Sequence, residues 1–193
     1  MVNLDVKWFY NRLTKEGYTP ESIAGILGNI YAESGCVANN VENVSGYSDD
    51  AYVRKINAHP EAFENDGFGY GLCQWTYHTR KKLLLDFCEN IESAEEQTEF
   101  MILDMNTDEY RKMSDYLKDC ENIADATEKF MKIYERPADV SKNAVAKRVA
   151  YAELYFNEFS EFVSHETKSG EIVVDGVRYR YTLEPVQNIV LPV

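Results

Sequence analysis

The stretch Gly28-Asn29-Ile30-Tyr31-Ala32-Glu33-Ser34-Gly35 decides how this chain is read. Just upstream and within it, Ile23, Ile26, Leu27 and Ile30 recur at helical spacing and form one apolar stripe. Glu33 follows Ile30 by three positions and Ile26 by seven, which sets it on or beside that stripe. A carboxylate that only aided solubility would sit on the opposite face. A carboxyl held against apolar side chains loses hydration and keeps its proton more tightly. One that stays protonated near neutral pH can donate to a leaving group. The plainer alternative is a solvated Glu at a fraying helix end, with Ser34-Gly35 marking the break.

A second segment sharpens the choice: Asp66-Gly67-Phe68-Gly69-Tyr70-Gly71-Leu72-Cys73-Gln74-Trp75-Thr76. Its closely spaced glycines permit near approach of the backbone and positive φ. Tyr70 and Trp75 bracket Gln74. Tyr70, Trp75 and Tyr77 offer flat apolar faces suited to sugar rings, with burial in a core as the competing role. Between the two segments, residues 35–68 lack a helical period and are dense in Asn, Ser, Gly and Asp. They read as an irregular lobe with a small hairpin, Tyr52 to Ile56 being a short strand or helical turn. Loops this long in a compact domain usually carry function.

The remainder reads as helices. Asn3 or Asp5 opens one and Gly17 ends it, and Thr19-Pro20 starts the helix that leads to Glu33. Gly25 and Gly28 lower the propensity of that helix and imply a neighbour packed closely upon it. Thr76 is positioned to cap a helix with Leu83, Leu84, Phe87 and Cys88 inward. Ser93-Ala94-Glu95-Glu96 is a capping box. Further helices carry Met113 and Leu117, then Phe130, Met131 and Tyr134, with a stop at Pro137. Ser141 begins a long one to about Phe162. After Ser164 the pattern changes to alternation around Asp175-Gly176, a hairpin signal, with Lys168-Ser169-Gly170 as a hinge and a third strand over residues 188–193. The expected organisation is a helical domain over residues 1–163 and a β-hairpin extension over residues 164–193.

At 193 residues, 45% hydrophobic and 27% charged, the chain is long enough and apolar enough to fold around its own core. The net charge of −13 and the lack of a basic stripe argue against nucleic acid and against anionic membranes as partners. No apolar run is long enough to span a bilayer. The first residues lack the basic-then-apolar pattern of a secretory signal. The four cysteines form no CxxC pair and the three histidines are scattered, so neither a metal nor another cofactor is expected. The cysteines read as reduced, mostly buried thiols.

Read together, the motifs resemble the lysozyme-like superfamily. Glu33-Ser34 followed by Gly71-Leu72-x-Gln74 is similar to the pattern of lytic transglycosylases and goose-type lysozymes. The resemblance is closer to the phage tail lysozyme family, at residues 24–35, at Gly69-Tyr70-Gly71-Leu72-Cys73-Gln74-Trp75-Thr76 and at Tyr134-Glu135-Arg136-Pro137-Ala138. It covers about residues 3–160. It implies a mainly α, lysozyme-like domain with a small irregular or β lobe and a glycan cleft. It also implies cleavage of the β-1,4 bond of peptidoglycan, with Glu33 as the acid and Gln74 in a segment lining the cleft. Cys36 stands where the family usually has an aromatic, and Cys73 where it has a small or apolar residue.

The residues themselves suit that chemistry. A glycosidic oxygen leaves only when protonated, and a second carboxylate stabilises the oxocarbenium-like centre or directs water. Asp66 is the candidate for that second group and Glu64 the runner-up, with a plain turn role for Asp66-Gly67 the alternative. Ser34, Tyr70, Gln74, Trp75 and Tyr77 are the candidate substrate-binding residues. Glu135 and Arg136 read as a structural ion pair bracing the helix of Glu33. The expected function is a peptidoglycan glycosidase of muramidase type, an endolysin-like bacteriolytic enzyme encoded by a phage or mobile element. It would be made in the host cytoplasm and act on the wall, with further lysin or tail domains as partners through the hairpin. The alternatives are an inactive lysozyme-like structural or wall-binding module of a phage tail or secretion apparatus, and a helical interaction protein that pairs through its hairpin.

Overall fold

The computed structural model describes residues 2–164, 168–174 and 177–183. The chain divides into two compact units, Met1–Phe156 and Asn157–Val193, with the division inside a helix. The first unit is helical. Asp5 caps α1 (Val6–Lys15) by accepting from the Trp8 N–H at 3.0 Å, and α1 turns Phe9, Tyr10 and Leu13 inward. Thr19 caps α2 (Pro20–Ser34), with Pro20 in its first turn, and Gly35 ends it at φ 65°.

The core is built around α2. Its residues from Ser22 to Ile30 are all buried, so it is packed on every side and not along one stripe. Glycine makes this possible. A Cβ on Gly25 would lie 2.8 Å from the backbone nitrogen of Thr127, on α8 (Ile123–Phe130). A Cβ on Gly28 would lie 2.5 Å from the carbonyl oxygen of Arg148 and 2.8 Å from the nitrogen of Ala152, both on α9 (Lys142–Ser164). The close neighbour inferred from these two glycines is thus two helices.

The lobe after α2 departs from the sequence reading. It is helical where an irregular or β lobe was expected. A short 3-10 turn (Asn43–Ser45) leads to α3 (Asp49–Ala58) and α4 (Pro60–Asn65). Among the described residues its only β pairings are single bridges, Asn3 with Val37, Val41 with Tyr70 and Tyr70 with Trp75. The reason is local. Ser48 caps α3 and Pro60 opens α4, and the helical spacing of Tyr52 and Ile56 buries one face. Tyr52, Phe63 and Tyr70 then pack as a ring cluster, with centroids 5.5–6.1 Å apart.

Next come α5 (His78–Phe87), α6 (Ala94–Met105) and α7 (Arg111–Asp119). Two details of α5 differ from the sequence reading. Thr76 does not cap it, because its hydroxyl donates to the Gln74 carbonyl at 3.0 Å. Leu84 is inward as expected, but Leu83 and Phe87 are exposed and Lys81 is buried instead. The capping box at α6 is half formed. Ser93 accepts from the Glu96 N–H, while the Glu96 carboxylate takes the Asn90 N–H and not that of Ser93.

After α8 the chain makes one π turn (Met131–Glu135), leaves it through Arg136 at φ 52°, and enters α9 past Pro137. In the second unit, β1 (Lys168–Val174) pairs antiparallel with β2 (Val177–Leu183), from Lys168 opposite Leu183 to Val174 opposite Val177. The residues read as a hinge, Lys168-Ser169-Gly170, belong to β1. The expected Asp175-Gly176 turn and the strand over residues 188–193 lie outside the described residues. Among the described residues no helix is long and apolar enough to cross a membrane.

Candidate active site

The C-terminal end of α2 meets the glycine-rich segment at Ser34. Its hydroxyl donates to the Leu72 carbonyl at 2.9 Å, besides its own-helix bond to Ile30 at 3.1 Å. Ser34 is buried and serves to join the two motifs, which corrects its expected substrate contact. Gln97 on α6, unmarked by any sequence pattern, clamps the same segment. Its Oε1 accepts from the Leu72 N–H at 2.9 Å, and its Nε2 donates to the carbonyls of Ala38 (2.7 Å) and Ile91 (2.6 Å). Gly71, at φ 78°, sits so near that a Cβ would lie 2.6 Å from Gln97 Oε1. The glycines of this motif therefore admit a buried amide.

These contacts shape a cleft of about 470 Å³, within the range of small-ligand sites. It is lined by Glu33, Glu42, Gln74, Tyr77, Glu135 and Arg136, with Gly69, Cys73 and Pro137 among its smaller walls. The two motifs and the Glu135-Arg136-Pro137 turn thus converge on one surface, as three separate stretches of sequence.

Glu33 is not the bare carboxyl on an apolar wall that its spacing suggested. Arg148 Nη2 donates to its Oε1 at 2.6 Å, and its side chain is 19% exposed. Arg148 is itself buried, and its Nη1 donates to the carbonyl (3.4 Å) and Oδ1 (3.3 Å) of Asn29. Asn29 in turn donates to the carbonyls of Gly25 and Thr127, so the guanidinium is held by a buried network along α2. Helical spacing alone placed this face of α9 among its apolar residues, and no signal set Arg148 apart.

Gln74 stands at φ 46°, a conformation rare for a side-chain-bearing residue. Its Nε2 is committed to Asn40 Oδ1 (3.0 Å), the Asn40 carbonyl (3.3 Å) and the Gly71 carbonyl (3.0 Å). Its Oε1 has no hydrogen-bond donor among the described residues, which leaves the cleft an acceptor. Tyr77 is exposed on the rim. Glu42 accepts the Gly69 N–H at 3.1 Å through one oxygen and remains exposed. Nothing in the sequence around Glu42 marks it, because the residues before it have no period.

Three expected site residues lie elsewhere. Tyr70 is fully buried in the ring cluster, and Trp75 is buried edge-on against Phe100 at 5.4 Å, so neither offers a face to ligand. Asp66 does not line the cleft. It accepts from Lys55 (2.8 Å), Lys81 (2.6 Å) and the Tyr52 hydroxyl (2.9 Å), in a compact charge cluster beneath α3, α4 and α5. Desolvation works against its charge, but the hydrogen bonds from Lys55, Lys81 and Tyr52 outweigh it and hold the carboxyl below its ordinary range. A group so fully engaged serves the fold, which corrects the solvated second carboxylate expected there.

Glu135 and Arg136 also part company. Arg136 is exposed and donates to Glu109 at 2.8 Å, so the expected mutual ion pair is absent. Glu135 turns into the cleft, partly buried, with Oε1 shielded and without a hydrogen-bond partner. Burial first, and the charge of Glu33 second, push its carboxyl up to about 8, against the opposing pull of Arg80, Arg148 and the Cys73 thiol.

The four cysteines are free; Cys36 contacts the Tyr155 hydroxyl at 3.3 Å and Cys73 lies against Glu135. Among the described residues no cluster of His, Cys, Asp and Glu is arranged to hold a metal.

A search of curated proteins finds no match. The family model described as phage tail lysozyme matches residues 6–159, which takes in α1 to α8, most of α9 and every wall of the cleft. The matched span takes in the cleft at the end of α2, and the chain belongs to the phage tail lysozyme family.

Proposed function

We propose that this chain cleaves the β-1,4 glycan backbone of peptidoglycan as a muramidase, with Glu33 delivering the proton to the glycosidic oxygen. Family membership supports peptidoglycan hydrolysis in general, and kinship with lysozymes supports the muramidase assignment. The observation that carries the reading is the convergence of Glu33, Gln74 and Tyr77 on one open cleft. Tyr77 gives a sugar ring a flat exposed face. Gln74 Oε1 accepts from an N-acetyl N–H. The exposed carboxylate of Glu42 takes the part expected of Asp66, stabilising positive charge at the anomeric carbon or directing water. The lysozyme-like domain is taken as residues 1–163, with residues 164–193 an extension that meets other lysin or tail domains. The protein is phage-encoded and acts on the cell wall.

A second reading has one observation in its favour. Glu33 is already satisfied by Arg148 in the free protein, as a purely structural carboxylate would be. That reading is an inactive wall-binding or structural module.

Digestion of purified peptidoglycan by the full chain and by Glu33→Gln separates the two. Fragments ending in muramic acid, released by the wild type and not by the variant, support the muramidase. A glucosamine end or a product lighter by one water changes the bond or the chemistry, and no fragments from any wall type favours the module.

A further inference from the structure

Two of the carboxyls lining the cleft, Glu33 and Glu135, are held differently. Glu33 has the Arg148 guanidinium at 2.6 Å. Glu135 Oε1 is shielded from solvent and lacks any hydrogen-bond partner. The groups that face Glu135 come from every element packed on it: Glu33 from α2, Cys73 from the glycine-rich segment, Arg80 from α5 and Arg148 from α9, with Tyr134 beside it on the π turn. Both guanidiniums are already engaged, Arg80 with Asp104 at 2.6 Å and Arg148 with Glu33 and Asn29. Both act on Glu135 only at a distance, each being committed to another acceptor. An unpaired ionised carboxyl in such a place is costly, and more so beside another.

The backbone holds Glu135 there at some expense. It closes a π turn and precedes Arg136 in the left-handed region, two irregularities that recur at functional sites.

We propose that Glu33 and Glu135 form a proton-sharing pair, in which Glu135 stores the proton that Glu33 delivers to the glycosidic oxygen. The inference rests on the glycosidase reading above. Glu135 acts through Glu33 and is a positioning residue. In the resting state Glu135 carries the shared proton, while Arg148 donates to Glu33. The proton moves to Glu33 and on to the glycosidic oxygen as the C1–O bond breaks, and that bonding pair leaves with the oxygen as a hydroxyl. Water then adds its oxygen to C1 and returns one proton to the pair. One water is consumed, nothing is oxidised or reduced, and the pair ends as it began.

The test combines a carboxyl titration with a pH profile. The full chain, labelled with 13C at its Glu carboxyls, is titrated by NMR as wild type and as Glu33→Gln, with Glu135→Gln for assignment. One carboxyl titrating near pH 8, absent from Glu135→Gln and falling by about one pH unit or more in Glu33→Gln, is expected. Wall cleavage is followed against pH in wild type, Glu135→Gln and Glu135→Asp. The alkaline limb moves to lower pH in Glu135→Gln with KM unchanged, and Glu135→Asp restores it at a reduced rate. Ordinary titration of Glu135 in both proteins, or a wild-type alkaline limb in Glu135→Gln, overturns the pair. If the wild type cleaves no wall, the glycosidase reading fails, and the titration alone still decides whether the pair exists.

Discussion

Arg148 Nη2 donates to Glu33 Oε1 at 2.6 Å, joining the N-terminal third of α9 to the last turn of α2. The two residues are 115 positions apart, and the bond fixes a carboxyl that lines the cleft. Because Arg148 also holds Asn29, it sets the orientation of Glu33 through a network that runs along the core helix. The site and the packing of α2 against α9 are therefore one structure, and variants in either will show in both.

Arg148→Ala removes a buried cation and leaves Glu33 and Asn29 without its hydrogen bonds. Breaking a buried ion pair by removing one partner costs about 3–5 kcal/mol. For a chain of this size that lowers Tm by roughly 10 °C. Calorimetry is expected to show that loss. Arg148→Lys recovers little of it, because one ammonium cannot reproduce the planar donor set that spans Glu33 and Asn29.

Gly28→Ala drives a methyl to 2.5 Å from the Arg148 carbonyl, a backbone atom that cannot swing aside. Overpacking of this kind costs about 1–3 kcal/mol and pushes α9 away from α2. Wall cleavage falls as well, since Arg148 moves with α9. Gly67→Ala is the control: nothing lies within 4 Å of its Cβ, and unfolding is expected to change by less than about 0.5 kcal/mol. Paired denaturant curves would distinguish the two variants.

Asp66→Asn strips the charge that Lys55 and Lys81 share, and the Lys81 side chain has no exposure to water. The loss is on the order of 3 kcal/mol, with the cleft residues still in place. The pH dependence follows from the lowered carboxyl of Asp66. Below the unfolded carboxyl's range the unfolded chain takes up protons before the folded one. The stability from Asp66 is thus full at neutral pH and is lost as pH falls through its folded value. Acid unfolding of wild type and Asp66→Asn should converge at low pH. A gap that persists there would mean the cluster is held by packing alone.

Glu135 acts with the opposite sign. Its carboxyl is raised from 4.5 to about 8, so the folded protein keeps a proton that the unfolded chain has shed. That contribution is full below about pH 4.5 and disappears as pH rises to about 8. Glu135→Gln cannot ionise. Relative to wild type, it is expected to gain stability as pH rises from 5 to 8, read as a widening difference in Tm. A difference that stays constant over that range would show that Glu135 ionises normally.

Much of the fold could be read locally. Thr19-Pro20 and Gly35 bounded α2 because a cap and a left-handed glycine act within a single turn. Gly25 and Gly28 announced a close neighbour because, in a helix interior, their cost makes sense only against packing. The lobe was misread because α3 and α4 are short, and a run of about ten residues with mixed polarity shows no clear period. Lys81 is buried and Leu83 exposed because Lys81 reaches Asp66, a tertiary contact that local spacing does not announce.

By itself the sequence determined that Glu33 ends the central helix, that Gln74 lies in a glycine-rich turn, and that these motifs mark a phage tail lysozyme. Each of those follows from neighbours in the chain or from a motif's spacing. Only the tertiary structure decided which carboxyls face the cleft. Asp66 was drawn into a lysine cluster, Tyr70 and Trp75 into the core, and Glu135 away from Arg136 into the cleft beside Glu33. The reason is electrostatic and long-range: a carboxyl's state depends on its burial and on the charges around it. Arg148, Arg80 and Glu33 reach Glu135 from helices far apart in sequence.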